Sequence, residues 1–61
     1  MKLADLERHL RRHGCALKRQ GGNHAIWENP GTGDWSSVPR HREVKDFLVR
    51  GICRQLGIPP V

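Results

Sequence analysis

The chain is short of acidic residues, aromatics and cysteines, and it has no long apolar run. Six Asp and Glu stand against eleven Lys and Arg, a formal net charge of +5 with a pI near 10.3. So basic a surface attracts polyanions, of which nucleic acid is the commonest, with acidic proteins and anionic membranes as alternatives. No window approaches the ~20 apolar residues of a membrane-spanning helix. Met1 to Gly14 is charged throughout and lacks the apolar stretch of a secretion signal, so the expectation is a cytoplasmic protein without membrane association. The two cysteines, Cys15 and Cys53, are too few and too far apart for a disulfide scaffold, and both are expected to be reduced and buried. No phosphate-binding loop, paired-carboxylate site, Cys-x-x-Cys motif or catalytic triad can be assembled. The stretches Gly21-Gly22 and Gly31-Thr32-Gly33 lack the phosphate-loop spacing and its following Lys-Ser/Thr. No cluster of Asp, Glu, His or Cys has metal-ligand spacing, so neither a metal nor another cofactor is expected.

What is present suffices for one small domain spanning residues 1–61, with 36% of the residues hydrophobic. A chain of this length buries only ~60% of its unfolded surface, which makes any core thin. Two-domain enzymes, doubly wound dinucleotide-binding sheets and deep barrels are thereby excluded.

Leu3, Leu6 and Leu10 fall at i, i+3 and i+7, which predicts a helix over Leu3 to His13. Acidic Asp5 and Glu7 lie early in it and Arg11, Arg12 and His13 late, as the helix dipole prefers. Gly14 follows as the stop, which places Leu10 and Cys15 for the apolar contact of a glycine-terminated helix. Cys15 to Gln20, His24 to Glu28 and Trp35 to Val38 read as three short strands. Gly21-Gly22 separates the first two, and the turn formers Asn29 to Asp34 join the second to the third. The helix-facing side of this meander collects Leu17, Val38 and part of the set Ala25, Ile26 and Trp27; a bulge near the double glycine would decide which. Glu43 to Leu56 reads as a second helix with Val44, Phe47, Leu48, Ile52 and Leu56 on its apolar face, stopped by Gly57 and Pro59. The expected fold class is α+β, helix-strand-strand-strand-helix, with a three-stranded antiparallel sheet and two helices on one face.

The four histidines carry the side chain that titrates nearest neutrality. His9 and His13 are spaced i, i+4, which can hold zinc, but Arg8, Arg11 and Arg12 surround them and favour a solvated basic face. His41, in Pro39-Arg40-His41-Arg42, either contacts phosphate or a partner or begins the second helix. His24 follows the turn Gly21-Gly22-Asn23, with Lys18 and Arg19 before it. An imidazole flanked by cations can move a proton while the cations stabilise charge growing on a phosphate. RNA supplies its own 2′-hydroxyl as nucleophile, so such a site requires no metal. A histidine beside a glycine turn is also commonly structural, and the residues alone leave both readings open. Trp27 and Trp35 can stack on bases, although a core this small has reason to bury at least one.

Gly22-Asn-His-Ala-Ile-Trp-Glu-Asn-Pro30, then Val38-Pro-Arg-His41, then Arg50-Gly-Ile-Cys-Arg-Gln-Leu-Gly-Ile58, resembles the HicA-type mRNA interferase toxins over about Leu3 to Ile58. In that family the signature reads glycine, serine or threonine, then histidine; here Asn23 fills the middle position, so no hydroxyl stands there. The resemblance implies one HicA-like toxin domain with a double-stranded-RNA-binding-domain-like fold. It also implies a metal-independent endoribonuclease acting on mRNA, with His24 as its one essential catalytic side chain and Gly21, Gly22 and Asn23 as the motif turn. The implied partner is a HicB-type antitoxin that covers the active face. Lys18, Arg19, Arg40 and His41 flank the motif and the end of the third strand, and they are the expected RNA path, with Arg8, Arg11 and Arg12 as the alternative. Two other readings accompany this one: a non-catalytic RNA-binding module, and an inactive antitoxin-binding subunit.

Overall fold

A computed structural model describes all residues, Met1–Val61, in the order α1 (Leu3–Arg12), β1 (Ala16–Gln20), β2 (His24–Asn29), β3 (Asp34–Pro39) and α2 (Asp46–Leu56). The α+β architecture expected from the sequence is the one observed. In α1 the leucine stripe buries Leu6 and Leu10 completely. Gly14, at φ +83°, ends the helix: its N–H donates to the Arg11 carbonyl at 3.0 Å, and the Cys15 N–H donates to that of Leu10 at 2.9 Å. Only glycine takes this left-handed conformation without steric cost, and the paired bonds satisfy the orphan carbonyls of the last turn. Leu10 and Cys15 are both buried at the stop.

The strands form an antiparallel meander in the order β1-β2-β3. The tight connection after β2 is closed by the Gly33 N–H donating to the Asn29 carbonyl at 2.8 Å, with Gly33 at φ +80°. Because side chains alternate across a strand, Ala25 and Trp27 face the helices, joined from β3 by Val38 and Ser36. The bulge left open by the sequence lies in β1, between Leu17 and Arg19, rather than at the double glycine. Leu17 is in register with buried Trp27 yet stays 44% exposed, because β1 is an edge strand exposed along its whole length. Ile26 lies on the opposite, open face.

The second helix departs from expectation in its start and in its apolar stripe. Glu43 to Lys45 are not helical. Val44 donates to the Met1 carbonyl at 2.7 Å, and the Met1 amino group donates back to the Val44 carbonyl at 3.0 Å. The Leu3 N–H takes the Arg42 carbonyl at 2.9 Å, and Lys2 bridges to Glu43. This exchange holds the link extended, so α2 begins only at Asp46. Its buried stripe is then Val49, Ile52, Cys53 and Leu56, while Phe47 and Leu48 are exposed. Val44 is buried, but from the link and not from the helix. Gly57 at φ +70° closes α2 in the same way that Gly14 closes α1, and the Asn29 side-chain amide donates to the Leu56 carbonyl at 2.8 Å. Both helices and the inner sheet face share one twelve-residue core that includes Trp27. That arrangement leaves the outer sheet face uncovered.

Candidate active site

The bulge at Lys18 builds the site. In a regular strand Lys18 and Arg19 would point to opposite faces, and one cation would lie against the core side. The extra residue lets both oppose Ile26 on the outer face and returns Gln20 to the register of Ala25. The outer face therefore gathers Lys18 and Arg19 from β1, His24, Ile26 and Glu28 from β2, and Trp35 from β3. Lys18 Nζ lies 3.4 Å from Glu28, whereas Arg19 has no carboxylate partner. Lys18, Arg19, Ile26 and Trp35 line an open cleft of about 410 Å³. Trp35 is 53% exposed, while Trp27 is wholly buried, so the two tryptophans divide between surface and core.

His24 begins β2 at one end of this face, opposite Pro39 in register, and its ring is exposed. Its backbone is held closely. The His24 carbonyl accepts from the Gly21 N–H at 2.8 Å, and the Asn23 carbonyl accepts from the Arg40 N–H at 2.9 Å. A Cβ at position 21 would stand 3.2 Å from the His24 carbonyl, a tight contact that the turn would have to relieve by a few tenths of an ångström. At Gly22 the space is open.

Arg40 is the residue whose role the sequence did not disclose. Its Nη1 donates to the Gly21 and Gly22 carbonyls at 3.0 and 3.2 Å. The Gln20 amide oxygen accepts from Arg40 Nε and Nη2 at 3.2 and 2.7 Å in the orientation that satisfies both side chains. A planar guanidinium suits such a multiple grip. Arg40 thus clamps the turn that carries His24. A clue lies in Pro39: a residue just after the strand stop is well placed to reach back to the facing loop. His41 is exposed in the link ahead of α2 and does not begin the helix.

The alternative basic residues lie elsewhere. Arg8 pairs with Asp5 at 2.9 Å, and the Arg11 guanidinium sits 5.0 Å from the centre of the Trp27 ring. Both belong to α1, on the helix-covered side of the sheet. His9 does not stand as a free ligand: its Nε2 is 2.8 Å from the Pro59 carbonyl, tying the C-terminal segment to α1, and its ring packs edge-on against His13. Cys15 and Cys53 are free thiols in the core. Burial pushes both thiol pKa values up. For Cys53 the neighbouring Cys15 adds to the rise, and a hydrogen bond from the Val61 backbone opposes it.

The outer sheet face is thus cationic and partly aromatic, and it ends at an exposed histidine whose turn Arg40 clamps. The family model described as the HicA toxin of bacterial toxin–antitoxin systems matches residues 3–58. The chain belongs to the HicA toxin family. Comparison with curated proteins and with solved structures finds no match. No helix is long and apolar enough to cross a membrane.

Proposed function

We propose that the chain is a metal-independent endoribonuclease that cuts mRNA in the cytoplasm, with His24 as the proton-transferring side chain and a HicB-type antitoxin as its inhibitor. Membership of a toxin family supports a toxin role and an antitoxin partner. The observation that carries the chemistry is the placement of His24, exposed at the edge of the cationic face while its backbone is fixed by the turn and by Arg40.

In the reaction the 2′-hydroxyl of one nucleotide attacks the adjacent phosphorus. The bond from phosphorus to the 5′-oxygen breaks, leaving a 2′,3′-cyclic phosphate and a 5′-hydroxyl. His24 takes the proton from the attacking hydroxyl or gives one to the departing oxygen. Arg19 and Lys18 face the same side and stabilise charge that grows on the phosphoryl oxygens. His41 extends the basic path beyond the clamp. Gly21, Gly22 and Asn23 shape the turn that presents the imidazole; the side chain of Asn23 supplies no hydroxyl, so the mechanism uses none there. Incubation of the purified protein with single-stranded RNA in excess chelator tests this reading. Full cleavage with cyclic or 3′-phosphate ends is expected. Ends bearing a 3′-hydroxyl and a 5′-phosphate would mean attack by water and refute it, and RNA shifted but never cut would leave a binding module.

A further inference from the structure

We propose that the open sheet face carries a nucleotide subsite next to the cleavage position, in which Trp35 and Ile26 stack one single-stranded RNA base while Arg19, with Lys18, holds its phosphate. The inference rests on the ribonuclease reading and adds to it a residue that selects single-stranded substrate.

Trp35 is the reason to look here. It is the larger of the two apolar side chains on the outer face and is 53% exposed, although folding does not require it: Trp27, its counterpart on the inner face, already fills the core. Next to it Ile26 is half-buried and forms an apolar floor, and the cleft between them and the two cations measures about 410 Å³. That volume lies within the range of ~300–1,000 Å³ typical of small-ligand sites. An occupant must offer both a flat apolar surface and an anion, and a nucleotide unit of RNA offers both. Aromatic side chains on sheet faces bind unpaired bases by stacking, and paired bases are not free to stack in this way.

Charge orients the occupant. Glu28 stands opposite Trp35 in register and pairs with Lys18 at 3.4 Å, so the Lys18 charge is partly offset beside Trp35. Arg19 carries no such partner. The phosphate therefore lies at the Arg19 side, where a guanidinium can grip two of its oxygens, and the base lies over Trp35. Trp35 is level with Glu28, four residues along β2 from His24. At ~3.3 Å per residue this is about 13 Å, which places the stacked base on a neighbour of the nucleotide being cut. The bulge that turns both cations outward is what makes this subsite and the histidine share one face.

The test uses the intact protein and a single-stranded oligoribonucleotide bearing 2′-O-methyl groups, which binds but offers no 2′-hydroxyl for attack. Tryptophan emission follows binding, since Trp35 is solvent-exposed and Trp27 is buried. The expected result is quenching of the exposed component on titration. Trp35→Ala is expected to weaken binding about 5- to 150-fold, the range measured for one stacked base, with an unchanged salt dependence. Trp35→Phe, which keeps a π-face, restores most of the affinity. Arg19→Ala lowers the slope of log K against log salt by about 0.7, the contribution of one phosphate contact to single strands. The buried Trp27 emission in Trp35→Ala reports that the fold is intact. Binding by Trp35→Ala as tight as that of the wild type, read by electrophoretic mobility shift, would overturn the subsite while leaving the ribonuclease reading in place. Failure of the wild type to bind or cut any RNA would overturn both. An unchanged RNA affinity with lost binding of an acidic protein would assign the face to a protein partner and overturn the subsite.

Discussion

The guanidinium of Arg40 reaches the carbonyl oxygens of Gly21 and Gly22 and the amide oxygen of Gln20. It is exposed, yet its donors are turned back onto the protein. Any effect of Arg40 on the proposed RNA cleavage is therefore expected to pass through the position of His24. A positioning loss of about 1 Å costs on the order of 10²-fold in rate, so Arg40→Ala is expected to lower kcat by about 10- to 100-fold with little change in KM. Arg40→Lys is not expected to rescue it, because an ammonium cannot grip three oxygens in one plane. Steady-state kinetics on a short RNA separates this from a phosphate contact, whose loss would raise KM and flatten the salt dependence instead. From the residues alone His24 stood open between a structural and a proton-moving role, and the two tryptophans could not be told apart; the strand register decides that Trp35 is the exposed one. The clamp formed by Arg40 was not legible, because two of its three partners are backbone carbonyls, which every residue has.

The elements show how stripe and register compete. The α2 face expected from sequence included Phe47 and Leu48, yet Phe47 is 62% and Leu48 40% exposed. Phe47→Asp is therefore expected to change stability by no more than about 0.5 kcal/mol, as surface substitutions do. Ile52→Ala, within the buried stripe, is expected to cost about 2–5 kcal/mol. Urea denaturation of the two variants checks both figures. A loss of about 2 kcal/mol or more at Phe47 would mean that it packs against the core after all. The order and type of every element were legible from periodicity and from the stops at Gly14, Pro39 and Gly57. What was not legible was set by long-range pairing. The exchange between Met1 and Val44 holds Glu43 to Lys45 out of the helix, and no local signal in those residues announces it. The bulge at Lys18 likewise follows from satisfying both faces of β1 at once: Leu17 pairs with Trp27 on the inner side, while two consecutive cations stay outside.

Across the whole molecule the thin core couples stability to alkaline pH and leaves one face for function. Cys15 and Cys53 both lie in the core, and burial raises their thiol pKa values above the ordinary 9.0. The folded state thus keeps these protons longer than the unfolded chain. The contribution is fully present below the unfolded value and is lost as pH rises through the raised folded values. Thermal unfolding of the wild type is expected to show a melting temperature that falls steeply above about pH 9. A variant with Cys15→Ala and Cys53→Ala should show a shallower fall; equal slopes would mean that neither thiol contributes. The core also sends the helices to one side, so the outer sheet face carries His24, Arg19 and Trp35 together, away from the basic residues of α1. That segregation is the basis for assigning catalysis to His24. The most direct test is the rate of RNA cleavage by purified His24→Ala in chelator, beside the wild type, with circular dichroism on both. Positioned proton transfer is worth ~10²–10⁴-fold, so the variant is expected to cut at least that much more slowly while keeping the wild-type spectrum and its affinity for RNA. Cleavage at close to the wild-type rate, or a loss of activity that comes with unfolding, would contradict the account.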